Sequence, residues 1–332
     1  MRPASSLAAS AAASVFSAAV RLRNALYDRG TLSAAALQGP VISVGNLSVG
    51  GAGKTPFVIL LGELLRNRGV AFDVLTRGYG RDSASVEMVD PNGCPGRFGD
   101  EPLLIARRLS APVFVGEQRH AAGVLAEQRL GPQLHLLDDG FQHRELARDF
   151  DIVLLTPEDI RDHLLPRGRL REPLASLRRA DAVALMSGAP TEALPAALRE
   201  AKRIFRVRRG ILPRDVPPHP VAFCGIARPQ SFFLQLRKAG IEPAAEAAFR
   251  DHYRYSPADI RALLSLKRQS EADGFVTTEK DAVNLGPLRE ELQPLSVVPV
   301  RMQLEDAAAA LDAILQTVAA RKPQWTAPSS QL

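Results

Sequence analysis

Val41-Ile-Ser-Val-Gly-Asn-Leu-Ser-Val-Gly-Gly-Ala-Gly-Lys-Thr-Pro56 decides the fold. Val41 to Val44 reads as a short buried strand. A loop with Gly45, Gly50, Gly51 and Gly53 follows, and Lys54-Thr55 opens an apolar-periodic helix. Strand, glycine loop and helix start stand in the order a phosphate-binding loop needs. Glycines let backbone N–H groups turn toward phosphate oxygens, and the helix start adds partial positive charge. Ser48, Val49, Gly50, Gly51, Ala52, Gly53, Lys54 and Thr55 are therefore the candidate nucleotide-binding residues. Lys54 would reach the β- and γ-phosphates, and the Thr55 hydroxyl would bind Mg²⁺. Ser48 stands where the usual pattern has its first glycine. The alternative is an ordinary glycine-rich turn; the joint placement of strand, glycines, Lys-Thr and helix favours the phosphate loop.

The chain has 332 residues, which suits two domains, and 46% hydrophobic residues, which suffice for sizeable cores. Its net charge of +6 suits acidic partners: nucleotide phosphates, nucleic acid or an anionic membrane surface. Cys94 and Cys224 are far apart, so no disulfide framework or zinc motif is expected. Around this sequence, short apolar strands alternate with helices: Phe72 to Thr76, Val113 to Val115, Leu134 to Leu137, Asp151 to Leu155 and Ala182 to Met186. That alternation predicts an α/β fold with a mostly parallel, P-loop NTPase-type sheet. A proline-rich stretch, Val207 to His219, reads as a connection to a second, smaller α/β domain. Its strands would be Val221 to Cys224, Gly274 to Thr277 and Val297 to Val300, and its last helix Glu305 to Val318. The expected division is an N-terminal amphipathic helix (1–30), a P-loop domain (31–212), a second domain (213–320) and a frayed tail (321–332).

The N-terminal segment is alanine-rich and too weakly apolar to span a bilayer. As a helix it sets Val15, Ala19, Leu22 and Leu26 on one face, with Arg21 and Arg23 beside it. Such a helix could lie in a membrane interface or pack on its own domain.

Several constellations bear on chemistry. Leu136-Leu-Asp-Asp139 places acids at the carboxyl end of an apolar strand, where an open parallel sheet binds ligands and a carboxylate can hold Mg²⁺. Asp100-Glu101 opens a helix; Asp100 is an N-cap on one reading and a base on the other. Asp251-His-Tyr253 admits a structural pair, a surface turn or an acid–base element. Arg167, Arg169 and Arg171 crowd one loop, either solvated or a phosphate clamp.

Together these pieces resemble one family, the tetraacyldisaccharide 4'-kinases of lipid A synthesis. The resemblance rests on Gly45 to Pro56, Thr76-Arg-Gly-Tyr-Gly80, Gly99-Asp-Glu101, Asp138-Asp-Gly-Phe-Gln-His143, Leu165 to Pro173, Asp251-His-Tyr253 and Thr277-Thr-Glu-Lys-Asp281, all in the expected order. The Ser48 variation belongs to the family's form, and no motif position departs from it. The resemblance implies ATP- and Mg²⁺-dependent phosphorylation of the 4'-hydroxyl of a tetraacylated glucosamine disaccharide 1-phosphate, giving lipid IVA. It implies a peripheral protein at the cytoplasmic face of the bacterial inner membrane, touching the anionic surface through its N-terminal helix. By the same carry-over Asp100 resembles the general base and His252 its partner. Lys54 and Arg171 resemble phosphate stabilisers, and Thr55, Asp138 and Glu101 metal contacts. Asp139, Arg119, His143 and Glu172 receive no fixed role.

Rival readings fare worse on the residues. A dimer-coupled ATPase of the deviant Walker type needs a signature lysine where this chain has Val49. A GTPase needs N-K-x-D, and Thr277-Thr-Glu-Lys-Asp281 is not that motif. Basic residues interleaved with aromatics are lacking, so no nucleic-acid partner is expected.

Overall fold

The structure is a computed structural model and describes residues 4–189 and 191–325. The chain begins with α1 (Ala4–Asp28), then alternates: β1 (Val41–Asn46), α2 (Lys54–Asn67), β2 (Phe72–Thr76), β3 (Glu87–Met88), α3 (Pro95–Phe98), α4 (Asp100–Leu109), β4 (Val113–Val115), α5 (Arg119–Leu130), β5 (Leu134–Asp138), β6 (Phe150–Leu155), β7 (Ala182–Met186), α6 (Ala196–Ala201) and β8 (Arg203–Ile211). It continues through β9 (Pro220–Cys224), α7 (Pro229–Lys238), β10 (Ala245–Ala248), α8 (Pro257–Gln269), β11 (Gly274–Thr278), α9 (Glu279–Leu285), β12 (Leu295–Val298), β13 (Val300–Leu304) and α10 (Ala307–Arg321).

Nine strands form one sheet in the order β13-β8-β7-β6-β1-β5-β2-β4-β3, antiparallel only at its two edges. A second, fully parallel sheet has the order β10-β9-β11-β12. Central strands of a parallel sheet are covered on both faces and read as apolar runs. Accordingly every residue of β1, β2, β5, β6 and β7 is buried. Ile42 and Val44 of β1 share a core with Phe57, Leu61 and Leu65 of α2. Each such side chain contributes about 1.5–3 kcal/mol of burial. The register then positions the chemistry: Val44 pairs with Asp138, so β1 leaves the sheet for its glycine loop at the level where β5 presents its carboxylate.

The two sheets divide the chain differently from the sequence expectation. The second sheet is an insertion spanning Pro220–Val298, and β13 and α10 return to the first. The apolar run Val297 to Val300 is two strands, one in each sheet, separated by Pro299. Proline has no N–H to give a ladder, so the chain changes sheets there. Met302, Leu304, Leu311, Ile314 and Val318 then join the core of the large sheet. The expected boundary at residue 320 is thus corrected. Likewise, residues 207–211 belong to β8, where Phe205 and Val207 point inward, Arg206 and Arg208 are exposed and Arg209 is half-buried. The expected frayed tail is anchored at its start: Arg321 pairs with Asp181, and Lys322 donates to the carbonyls of Leu37, Gln38 and Gly39. Residues 326–332 of that tail lie outside the described residues.

The N-terminal helix is pinned at its last turns. Asn24 Nδ2 donates to Glu172 Oε2 at 2.7 Å, Asp28 pairs with Arg144 and Arg178, and the Arg144 guanidinium lies over the Tyr27 ring. Further up the same helix, Val15 and Leu22 are 71% and 63% exposed. Among the described residues, no helix is long and apolar enough to cross a membrane.

Candidate active site

The phosphate loop has the backbone its glycines allow. Gly50 and Gly53 lie at φ 78° and 88°, and left-handed Gly53 leads into α2. A side chain at either would strain that turn. The Ser48 hydroxyl adds a contact that a glycine could not supply: Asn46 Nδ2 lies 3.2 Å from it, besides donating to the backbone carbonyl of the same residue at 2.8 Å. Backbone pairing brings in the arginine loop. Val49 N donates to Arg169 O at 2.8 Å, and Arg171 N to Leu47 O at 2.6 Å.

That pairing delivers Arg171 to the lysine. Arg171 Nη2 donates to Asn46 Oδ1 at 2.6 Å and to Asp139 Oδ1 at 3.0 Å. Lys54 Nζ reaches the same two atoms at 3.1 and 3.5 Å. Two cations therefore share one amide oxygen and one carboxylate. Burial alone would raise the Asp139 carboxyl, but Lys54, Arg171 and Arg119 hold it down at about 2. Its neighbour behaves oppositely. Asp138 is 2% exposed, accepts from Thr76 Oγ1 at 3.2 Å through one oxygen, and leaves Oδ1 buried with no partner. Burial, Glu101 and Asp139 push it up to about 7.

A buried orphan carboxylate oxygen at the end of β5, close enough to Lys54 to feel its charge, and the buried Thr55 at the start of α2 form a donor set that suits Mg²⁺. Among the described residues no group of three His, Cys, Asp or Glu could hold a metal without help. Mg²⁺ in phosphate sites characteristically takes one or two protein oxygens and completes its shell from phosphate and water, so the residues present fit it.

The other rim residues separate by partner. Arg119 is buried, donates to Glu117 O at 2.7 Å and keeps Nε without a partner; burial lowers its pKa, against the pull of Asp139. His143 is held neutral at about 4 by burial and then by Arg119, Arg148, Arg23 and Arg77. Glu172 is a brace: 3% exposed, it accepts from Asn24, from Gln142 and from both terminal nitrogens of Arg179.

A second rim joins the two sheets. Asp100 is the first residue of α4, and the N-cap is Gly99, so the capping role considered for Asp100 is corrected. Its carboxylate does accept from the next backbone N–H, of Glu101, at 2.9 Å. Its other partners come from the inserted unit: His252 Nδ1 at 2.9 and 3.0 Å from the two oxygens, Asn284 Nδ2 at 3.0 Å and Lys280 Nζ at 3.9 Å. His252 sits at φ 56° in the turn before α8, whose start is fixed by the Ser256–Asp259 capping box. Lys280 Nζ also lies 3.1 Å from His252 Nε2, 3.0 Å from Asp251 and 3.5 Å from Glu101. Burial would raise Asp100, but the His252 hydrogen bond, the Lys280 charge and Asn284 keep it below the usual carboxylate range. Burial and Lys280 push His252 down, while Asp100 and Glu101 raise it above its ordinary value. The result is a buried, ionised carboxylate able to accept a proton and a histidine able to stabilise it. Asn46, Lys280 and Asn284 are site residues that sequence reasoning missed. Lys280 stood within a motif already singled out; Asn284 carried no signal.

A cavity of about 1020 Å³ lies elsewhere, between the far end of α4 and Pro287, Arg289 and Glu290. Volume does not locate this site; the convergence of charged and orphaned groups does.

Comparison with known proteins gives the family. The family model described as tetraacyldisaccharide-1-P 4'-kinase (LpxK) matches residues 6–319. A tetraacyldisaccharide 4'-kinase of Koribacter versatilis (strain Ellin345) is 51% identical over 318 residues, covering 93% of this chain and 98% of that one. One from Aquifex aeolicus (strain VF5) is 39% identical over 283 residues, covering 80% and 85%. A crystal structure of the "apo" form of LpxK from Aquifex aeolicus in complex with ATP superposes with a TM-score of 0.74 at 34% identity, covering 92% of this chain and 97% of that one.

Proposed function

Because the chain belongs to the tetraacyldisaccharide-1-P 4'-kinase family, we propose that its two rims divide one phosphoryl transfer between them. The chain is an ATP-dependent phosphotransferase of lipid A biosynthesis, acting on the 4'-hydroxyl of a tetraacylated glucosamine disaccharide 1-phosphate to give lipid IVA. In the proposed division Lys54 and Arg171 neutralise the phosphates, released toward them from Asp139. Thr55 and Asp138 hold Mg²⁺, with Glu101 near enough to influence Asp138 by charge. When bound, the ion supplies charge neutralisation on the phosphate oxygens. Asp100 accepts the proton of the 4'-hydroxyl as that oxygen bonds to the γ-phosphorus. The bond from the γ-phosphorus to the bridging oxygen breaks, and ADP leaves with the electron pair. His252 orients the Asp100 carboxylate and stabilises its charge until that point.

The observation that supports this reading most is the Asp100–His252 pair, made between two sheets at 2.9 Å with the carboxylate ionised. A sugar hydroxyl is a weak nucleophile, and a carboxylate within hydrogen-bond reach is what its transfer needs. The experiment is a phosphotransfer assay with a tetraacylated disaccharide 1-phosphate, ATP and Mg²⁺, with the product located by mass spectrometry. ATP hydrolysis without acceptor phosphorylation would defeat the reading.

The same reading places the protein peripherally at the cytoplasmic face of the inner membrane. Its support is the exposed Val15 and Leu22 on a helix whose other end is pinned beside the site. Deleting the helix would also remove Asn24 and Asp28, so the cleaner variant is Val15→Asp with Leu22→Asp. Binding to anionic vesicles should fall in that variant while its melting temperature holds; unchanged co-sedimentation would make the helix purely structural.

A further inference from the structure

The loop after β9, Gly225-Ile-Ala-Arg228, belongs to the second sheet yet lies on the phosphate loop of the first. A Cβ on Gly50 would stand 3.3 Å from the Ala227 Cβ, and one on Gly51 would stand 3.3 Å from Arg228 Cγ and 3.6 Å from its Nε. The loop is held firmly. Gly225 N donates to Asp281 Oδ1 at 2.7 Å, and the same buried carboxylate accepts from the Tyr255 hydroxyl at 2.8 Å and from Thr278 Oγ1 at 2.5 Å. Beyond the loop, Arg228 Nη1 donates to Glu158 Oε2 at 3.3 Å, in the turn after β6. Its Nη2 is buried and has no acceptor.

Arg209 repeats the pattern. It lies on β8 opposite Met302, whose methyl fills the space a Gly53 side chain would need, and its Nε is buried without a partner. Burial and then the nearby Arg228 charge both depress its pKa. Two guanidiniums that repel each other beside a loop of glycines, each with a buried unpaired donor, form an arrangement that an anion relieves. The side is informative too. β1 is flanked by β5, which carries Asp138, and by β6, which leads to Glu158. Arg228 therefore approaches the glycines from the flank opposite the metal-binding acids.

We propose that Arg228 is a nucleotide-contacting residue, donating its unpaired Nη2 to a phosphate oxygen of ATP on Gly50–Lys54 from the flank opposite Asp138. This rests on the phosphate-loop reading and extends it. The bound phosphate then ties the inserted unit to the large sheet, so nucleotide helps seat the same unit that brings His252 to Asp100.

Calorimetric titration of the full chain with ATP, ADP and adenosine tests it. Arg228→Ala should weaken ATP and ADP roughly ten- to a hundredfold, the usual weight of a hydrogen bond between charged groups, and leave adenosine alone. Arg228→Lys should recover part of the loss, since an ammonium keeps the charge without the fork; it also serves if the alanine variant does not fold. Glu158→Gln separates a contact from a strut and should stay within about twofold of wild type, as a half-exposed pair does. ATP affinity unchanged in Arg228→Ala, equal loss for adenosine, or a Glu158→Gln variant that reproduces the loss would each overturn the proposal. Lys54→Ala is the control: if it too left ATP binding and transfer intact, the phosphate-loop reading would be the one at fault.

Discussion

The nucleotide rim and the acceptor rim carry similar residues but are assembled differently. Asn46, Lys54, Asp138 and Asp139 come from adjacent strands and one helix of a single sheet, and Arg171 is zipped to the same loop by backbone bonds. Asp100 comes from that sheet's helix α4, whereas His252, Lys280 and Asn284 come from the inserted unit. The Lys54, Arg171 and Asp139 cluster is thus fixed within one unit, with Arg228 the proposed phosphate contact from the other, while the proton acceptor is completed only where two units meet. Changes at the first rim should damage binding and transfer together. Changes at the second should damage transfer far more than binding.

The largest expected effect is at the first rim. Lys54→Ala should lower transfer by roughly three orders of magnitude or more, as loss of a phosphate-neutralising cation does. Arg171 still pairs with Asp139 at 3.0 Å, so the melting temperature should hold. Wild-type turnover in a folded Lys54→Ala protein would break the comparison at its root.

Next comes the acceptor rim. Asp100→Asn should lower kcat by roughly two to four orders of magnitude, because an amide cannot take the proton. The carboxylate also holds His252, Asn284 and Lys280, so the melting temperature should fall as well, and kcat is compared at a temperature where the variant remains folded. His252→Ala should lower kcat less, and the double variant should lose less than the sum of the two free-energy effects, since the pair acts as a unit. ATP affinity should stay near wild type in both single variants. If ATP binding fell together with kcat, the two rims would not be separable.

Lys280 sharpens the same contrast with a smaller effect. Its ammonium lies 3.9 Å from Asp100 and 3.1 Å from His252 Nε2, holding both pKa values down. In Lys280→Met both should rise. Asp100 then needs a higher pH to ionise, so the acid limb of the kcat profile should move upward, while at neutral pH, where the carboxylate stays ionised, kcat should change little. An unshifted profile with lowered kcat would mean that Lys280 only supports α9.

The two rims also differed in how far the sequence disclosed them. The first is written in contiguous residues, Val41 to Pro56 and Leu134 to Asp139, where apolar strand, glycines and charge follow one another. The second depends on contacts such as Asn284 to Asp100, between short elements far apart in the chain, and no periodicity records them. Strand β8 was hidden because its inward residues, Phe205 and Val207, are interleaved with arginines. Strand β10 is Ala-Glu-Ala-Ala, a composition with little strand preference that forms here as an edge of the second sheet. Val297 to Val300 was visible as apolar, but an apolar run does not say which sheet it joins.

The smallest effect, on stability, asks whether the first rim is held under electrostatic strain before its ligands bind. The Asp138 carboxyl is pushed up to about 7 in the folded protein, well above its ordinary value near 4, by burial, Glu101 and Asp139. The folded state therefore holds a proton the unfolded state has lost, and stability falls as pH rises from about 4 toward 7. Above that range the buried, unpaired charge costs its full amount. Asp138→Asn removes the charge and keeps a group that can accept from Thr76. In the absence of Mg²⁺ and nucleotide, the variant should melt higher than wild type at pH 8, by roughly 2–4 °C for each kcal/mol regained, and nearly alike at pH 4. Asp139 predicts the reverse. Its carboxylate is held at about 2 by Lys54 and Arg171, so it stabilises above its unfolded value near 4, and that contribution is lost as pH falls toward 2. Asp139→Asn should therefore lower the melting temperature at pH 8. Adjacent residues with opposite stability effects would show that Asp138 is kept at a cost because the metal needs it. A melting temperature at pH 8 that fell in both variants would show Asp138 to be an ordinary stabilising carboxylate and remove the strain from the first rim.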